Sequence, residues 1–229
     1  MPFIRTYLII SSIYTLMKEK FPGVYLIDRK LATHNKTPGY RVYGEKTVKK
    51  KGKEYRMWDP HRSKVAAALA KGMKTFPISP GSSVLYLGAS SGTTASHIAD
   101  IAETVYCVEF SKRMMRELLP VCDRKQNMIP ILADARHPWE YSNTIANADV
   151  LIQDVAQPDQ AGILLNNYDT FKFKHALLSI KARSINSAKD PKKVFKAEKK
   201  KLTQKFEILE QLSLEPYEED HMLLNLKAK

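Results

Sequence analysis

The run Val84-Leu85-Tyr86-Leu87-Gly88-Ala89-Ser90-Ser91-Gly92-Thr93-Thr94 constrains this chain most, as an apolar strand entering a turn of small residues. A second strand, Val105-Tyr106-Cys107-Val108, follows about twenty residues on and ends in the acid Glu109. This pairing is how α/β folds hold an adenosine: backbone N–H groups of the turn approach the ligand, and the acid accepts from the ribose hydroxyls. The turn spells Gly-x-x-x-Gly and lacks the G-x-G-x-x-G spacing that seats a pyrophosphate on a helix N-terminus. The spacing therefore favours the adenosine of S-adenosylmethionine over that of NAD, and the open question becomes which acceptor is methylated.

From Ser83 onward strands and helices alternate. Strands are expected at 83–87, 104–108, 129–132, 148–153 and 176–180, and helices at 93–102, 111–120, 158–170 and 190–204. Such alternation builds a parallel sheet wound on both faces. The chain closes on two strands, 206–214 and 221–227, joined by the acidic turn Glu215–Asp220, which reads as an antiparallel hairpin. Before this region, Val24–Ile27, Tyr40–Tyr43 and Glu54–Trp58 read as strands of a small β subdomain, with Pro38-Gly39 and the Lys49–Lys53 run as turns. Asp59-Pro60 carries a helix-start signal, with Val65, Ala68, Leu69 and Gly72 as its apolar stripe. Three parts result: an N-terminal extension (1–16), the β subdomain (17–58) and an α/β domain (59–229). Gly162 falls inside an expected helix without an evident reason.

The formal charge of +13 is unevenly spread: +9 over residues 1–58, −2 over 59–169, +10 over 170–205 and −4 over 206–229. Two basic blocks flanking a near-neutral centre suit a phosphate backbone. The plainer alternative is the solvated surface of a heat- or salt-tolerant protein. The two cysteines, Cys107 and Cys122, indicate no disulfide framework, and the expected location is cytoplasmic. No Cys/His spacing suggests a metal. The apolar stretch Tyr7–Leu16 is too short to span a bilayer and lacks an A-x-A site, so no membrane association is expected; Met17 is a candidate start.

In an open α/β sheet ligands bind beyond the carboxyl ends of the strands. Four such ends carry polar or small groups here: Gly88–Thr94, Glu109-Phe110 (acid for ribose, ring for adenine), Asp134-Ala135 (for the adenine amino group) and Asp154 through Gln157. Each acid alone reads equally as a cap or turn residue; four in this order point to one nucleoside site.

Four segments together resemble archaeal fibrillarin: Trp58-Asp59-Pro60-His61-Arg62-Ser63-Lys64, Tyr86–Thr94, Asp154-Val155-Ala156-Gln157-Pro158 and Asp220-His221. The resemblance runs from about Phe21 to Lys227. It implies a Rossmann-like class I methyltransferase fold behind a small β domain, and S-adenosyl-L-methionine held by Gly88, Ala89, Ser90, Gly92, Thr93, Thr94, Glu109, Phe110, Asp134, Ala135, Asp154 and Gln157. It implies a reacting set of Lys64, Asp154, Lys181 and His221, and no metal. The implied reaction is methyl transfer to the ribose 2′-hydroxyl of rRNA and tRNA in a box C/D ribonucleoprotein. The implied partners are guide RNA, target RNA, a Nop-type scaffold and a kink-turn-binding protein of the ribosomal L7Ae type. A ribose hydroxyl must lose its proton as it attacks, so nearby ammonium groups and a carboxylate make chemical sense. The base is left open between Lys181 and Asp154, with Lys181 favoured.

By position alone Lys64 also reads as a solvated helix residue, Lys181 as a strand end and His221 as a hairpin cap. Phe171–Leu178 departs from the family, which places a Gly-Gly turn there, and Asn186 stands where an acid is common. Nothing in the chain spells an RNA-reading module, so site choice falls to a guide. A base methyltransferase is disfavoured because Asp154-Val155-Ala156-Gln157 is not an Asn/Asp-Pro-Pro-aromatic signature. A non-catalytic RNA-binding subunit is disfavoured by the intact Gly88, Gly92 and Glu109, and an NAD oxidoreductase by the missing glycine pattern.

Overall fold

The computed structural model describes residues 16–229; the Tyr7–Leu16 stretch lies outside them but for its last residue. Five N-terminal strands come first: β1 (Met17–Phe21), β2 (Val24–Ile27), β3 (Lys30–His34), β4 (Thr47–Lys50) and β5 (Lys53–Met57). They form one antiparallel sheet in the order β1-β2-β3-β5-β4. The expected strand at Tyr40–Tyr43 is a loop instead. Its Val42 and Tyr43 N–H groups donate to the Glu45 carboxylate at 3.1 and 2.9 Å, so no ladder is needed to satisfy them. The Lys49–Lys53 run is mostly strand. Only Lys51 and Gly52 turn, both at positive φ (49° and 74°), the conformation that matches strand twist in a two-residue hairpin.

The helix-start signal at Asp59-Pro60 also resolves differently. Asp59 Oδ1 accepts from His61 N at 2.9 Å in a tight turn, and the helix α1 (Lys64–Ala70) begins after Ser63, whose hydroxyl accepts from Ala66 N. Val65 through Leu69 are all buried, so α1 is a core helix without a polar face. Gly72 lies beyond its end.

The alternating region contributes β6 (Ser83–Leu87), α2 (Thr93–Ile101), β7 (Thr104–Glu109), α3 (Lys112–Arg124), β8 (Met128–Leu132), β9 (Val150–Gln153), α4 (Gln160–Phe171) and β10 (His175–Lys181). After β10 come the short α5 (Ala182–Ile185), the lysine-rich α6 (Pro191–Leu202), β11 (Phe206–Ser213) and β12 (His221–Ala228). The second sheet has the order β11-β12-β10-β9-β6-β7-β8, parallel from β10 to β8 and antiparallel at the β11–β12 hairpin. The expected α/β fold, with a mostly parallel sheet and a C-terminal hairpin behind an N-terminal β sheet, is the fold observed. One apolar core covers the face bearing α1, α2 and α3; the other lies beneath α4 and α6.

The sequence predicts that α3 ends at Pro120, yet the helix continues to Arg124. Pro120 sits on its exposed side, and Val121 and Cys122 are buried against the core, which outweighs one missing hydrogen bond. Gly162 gains a reason. It is the third residue of α4, its N–H donates to the cap Asp159 at 3.2 Å, and a Cβ there would run into the Asp159 carboxylate. After α4, Lys172 takes the left-handed conformation (φ 51°, ψ 38°) that a glycine ordinarily supplies.

The two sheets are joined by buried ionic groups. Arg56 of β5 is fully buried; its Nε meets Glu45 Oε1 at 2.5 Å and its Nη1 meets Asp100 Oδ2 of α2 at 2.8 Å. Asp100 also receives Lys125 Nζ at 2.5 Å and the Thr33 hydroxyl at 3.0 Å. Because that hydroxyl donates to Asp100, it accepts at 2.8 Å from Nδ1 of His97, whose ring stacks 5.0 Å from Trp58. Burial, then the Arg56 and Lys125 charges, push the His97 ring well below its usual pKa, so it is a neutral element of the joint.

Candidate functional site

The ends of β6, β7, β9 and β10 lie side by side, since Leu87 pairs with Val108 and Gln153, and Gln153 pairs with Leu178. Above them the small-residue turn folds over β7: Gly88 N and Ala89 N both donate to Val108 O, at 2.9 and 3.1 Å. Gly88 has φ +81°, and a Cβ there would stand 2.8 Å from Asp154 O. Only glycine lets β6 and β9 approach this closely. Gly92, at φ +87°, serves packing: a Cβ would meet Leu118 of α3 at 2.9 Å.

A cavity of about 300 Å³ opens here, lined by Gly88, Ser90, Glu109, Phe110, Asp134, Ala135, Asp154, Gln157 and Lys181. Its volume is in the range of small-molecule sites. Glu109 is nearly buried; one carboxylate oxygen accepts from Ser90 N at 2.9 Å and the other from Ser111 N at 2.8 Å. Each oxygen keeps acceptor capacity for a ligand hydroxyl. Phe110 is 65% exposed, so most of its ring is open beside the cavity. Hydrogen bonding to Arg136 holds the Asp134 carboxyl below the usual range, so it remains an acceptor. Val155 and Ala156 of the Asp154–Gln157 stretch also line it, and Val108, Ser111, Met114 and Ala133 complete the lining; these last four were not legible as site residues, the apolar ones being ordinary core types in sequence.

Ala89, Gly92, Thr93 and Thr94 do not line the cavity. Ala89 is buried beneath it, Gly92 caps α2, Thr93 opens that helix, and Thr94 donates to the Ser63 hydroxyl at 3.0 Å. They shape the turn from behind.

At the cavity's inner end Asp154 stands between two ammonium groups. Lys181 Nζ is 2.8 Å from Oδ1 and also donates to the Asp154 main-chain carbonyl at 3.1 Å; Lys64 Nζ is 3.3 Å from Oδ2. Burial pushes this carboxyl up, but the Lys181 and Lys64 charges outweigh burial and hold it below the usual carboxylate range. Lys181 is held at its backbone as well: buried Gln160 accepts from Lys181 N at 2.9 Å and donates to its carbonyl at 3.4 Å. His221 lies directly opposite Lys181 in the β10–β12 ladder, with Nδ1 2.6 Å from the Glu219 carbonyl. Glu218, which the sequence did not single out among the acids of its turn, reaches Lys64 at 3.6 Å and His221 at 3.9 Å. The four residues of the expected reacting set thus come from α1, the residue after β9, β10 and β12. Asn186, the departure from the family's acid, accepts from Ala188 N and Lys189 N in a turn leading to α6.

A larger groove, about 990 Å³, runs between the N-terminal sheet, the Trp58–Arg62 turn and the end of α1, past Lys30, Lys46, Arg62 and Tyr217. Among the described residues no cluster of metal-binding side chains occurs, and no helix is long and apolar enough to cross a membrane.

Comparison with known proteins gives consistent results. The sequence profile of the Fibrillarin family matches residues 15–229. A fibrillarin-like rRNA/tRNA 2′-O-methyltransferase of Pyrococcus furiosus is 49% identical over 216 residues, 90% of this chain and 95% of that protein. The structure of Aeropyrum pernix fibrillarin with natively bound S-adenosyl-L-methionine superposes with a TM-score of 0.84 at 41% identity, covering 92% of this chain and 97% of that one. A solved fibrillarin/Nop5p complex gives 0.85 at 39% identity, over 93% of this chain and 100% of that one.

Proposed function

The chain belongs to the fibrillarin family, and from that premise we infer that it transfers a methyl group from S-adenosyl-L-methionine to ribose 2′-hydroxyls of rRNA and tRNA. The observation that carries this reading is the pairing of Lys64 and Lys181 with Asp154, and of His221 with Lys181 across the β10–β12 ladder, where Asp154 and Lys181 line a nucleoside-sized cavity. The cavity's donors and acceptors fit the cofactor. Glu109 has acceptor capacity for the two ribose hydroxyls, Phe110 would offer its exposed ring to adenine, and Asp134-Ala135 would take the base. Gly88, Ser90, Asp154 and Gln157 border the remainder. When bound, the cofactor supplies an electrophilic methyl group on a sulfonium.

Lys64 and Lys181, fixed by Asp154, stabilise the negative charge that grows on the attacking ribose oxygen. Much of the acceleration is orientation, because in-line displacement requires donor and acceptor to be held together. We propose that a box C/D guide RNA sets that orientation, with a Nop-type scaffold and an L7Ae-type kink-turn protein; a Nop5p complex is known for a relative. The basic groove and the α6 lysines would hold phosphates without reading sequence.

The decisive experiment compares two target RNAs in a reconstituted guide particle, identical except for ribose or 2′-deoxyribose at the guided nucleotide. Label transferred to the ribose target alone is expected; equal label on both would sink ribose methylation.

Gly88→Ala tests the cavity itself. The added methyl meets the Asp154 carbonyl in a left-handed backbone, so cofactor affinity should fall about tenfold or more, some 1.4 kcal/mol. Gly92→Ala should lower melting temperature instead, since its methyl meets a leucine of α3. Calorimetric titration of both variants separates these outcomes; unchanged affinity in Gly88→Ala would remove this cavity as the cofactor site.

A further inference from the structure

A carboxylate outside the four-residue set touches two of its members. Glu218 Oε1 lies 3.6 Å from Lys64 Nζ, and Glu218 Oε2 lies 3.9 Å from His221 Nδ1. Among the ion pairs of the described residues, it alone joins α1 to β12. The hairpin turn fixes its backbone, its N–H donating to Leu214 O at 3.2 Å.

The His221 ring is oriented by the same turn. Nδ1 is 2.6 Å from the Glu219 carbonyl, and a carbonyl only accepts, so Nδ1 carries the proton of the neutral ring. Nε2 is then left with a lone pair. It has no hydrogen-bond partner among the described residues, and the side chain is 20% exposed. His221 and Lys181 are directly opposed in an antiparallel ladder, so both side chains leave the same face of the sheet. The other candidate acceptors of a proton are committed. Asp154 is held as a carboxylate between two ammonium groups, and Lys181, as an ammonium donating to Asp154, has no lone pair.

We propose that His221 Nε2 takes the proton of the ribose hydroxyl, and that Glu218 is the positioning residue that sets His221 and Lys64 for that step. The assignment rests on the ribose-methylation reading. In the step, the ribose oxygen bonds to the methyl carbon, the carbon–sulfur bond breaks with its electron pair going to sulfur, and the hydroxyl proton passes to Nε2. The resulting imidazolium is stabilised by Glu218 and gives its proton to solvent. The pairing follows the logic of a base oriented by a third group. Other charges face the ring: Lys181 on β10, Lys64 on α1 through Glu218, and Asp220, whose carboxylate is taken up by Arg183 of α5 at 2.7 Å.

Two measurements test this. Nitrogen NMR of the full chain labelled in histidine reads the tautomer without turnover. The neutral His221 ring should show Nδ1 protonated, and a ring protonated at Nε2 would overturn the proposal. The second is the pH profile of single-turnover transfer in the reconstituted particle. Glu218→Gln should lower the plateau about tenfold and move the acid limb to lower pH, with cofactor affinity unchanged. His221→Gln should abolish the limb and slow transfer about a hundredfold. A Glu218→Gln enzyme that is slower with its limb unmoved would reduce Glu218 to scaffolding and overturn the assignment, as would a limb that survives in His221→Gln. Loss of ribose selectivity in the wild type would overturn the ribose reading, and this assignment with it; the tautomer result separates the two failures.

Discussion

Asp154→Asn should reduce methyl transfer about a thousandfold, while the cofactor still binds within about tenfold of its normal affinity. The substitution keeps size and shape but leaves two ammonium groups, 2.8 and 3.3 Å from the former carboxylate, without an anion between them. They repel each other, and the charge aimed at the ribose oxygen loses its position. Single-turnover transfer in the guide particle, with calorimetric cofactor titration beside it, checks the split. A loss under about tenfold would mean that Asp154 does not organise the reacting set. The same carboxylate links the site to pH. Burial raises its pKa, but Lys181 and Lys64 outweigh burial and the folded value lies below the unfolded one. Its stabilising contribution is therefore complete above about pH 4. It is lost only as pH falls through the lower folded value, so the site stays charged throughout the neutral range.

The largest stability effect is expected from Arg56→Met. The guanidinium joins Glu45 of the N-terminal sheet region to Asp100 of α2 with no exposure to solvent, and also donates to Ser96 Oγ at 2.9 Å and Ser96 O at 3.2 Å. Removing one member of a buried ionic group leaves the others desolvated, which costs about 3–5 kcal/mol. For a chain of this size that is roughly 10 °C in melting temperature. Asp100 would retain Lys125 and Thr33, and Glu45 would retain two backbone donors, so the loss should fall short of unfolding at room temperature. A thermal melt followed by circular dichroism checks this; a shift below about 2 °C would show that apolar contacts carry the joint between the sheets. The His97 ring adds a pH term of known sign. Its folded pKa is depressed, so the unfolded chain binds the extra proton, and stability should decline as pH falls below about 6.5.

Strands and helices of the α/β region were legible because each has its own period and boundary. Val84–Leu87 is apolar without interruption, and α6 places Val194, Glu198 and Leu202 on one buried stripe. The N-terminal sheet was less legible. Its β1 and β4 carry Lys18, Glu19, Lys20, Lys49 and Lys50, residues typical of turns, and they are strands because backbone pairing to β2 and β5 decides their conformation. Conversely, Tyr40–Tyr43 has strand composition, yet Glu45 takes the Val42 and Tyr43 N–H groups, while Thr37 O and Asn35 Nδ2 pair with the Tyr40 backbone, so no partner strand is needed for them. A side chain acting two or three residues away leaves no periodic trace.

The sequence by itself determined the fold class and the cofactor turn, because each depends on residue type at short spacing: glycines where the backbone must bend, an acid where a strand ends, apolar runs where a sheet is buried; the reacting set followed only from the resemblance to fibrillarin. Only the tertiary structure decided how those groups act on one another. It set Lys64 and Lys181 on opposite oxygens of Asp154, brought Glu218 between α1 and β12, and locked two sheets together around Arg56 and His97. The reason is one of range. Charge and hydrogen bonding act over a few ångströms between residues that stand far apart along the chain, and no local pattern records which pairs the sheet order will bring together.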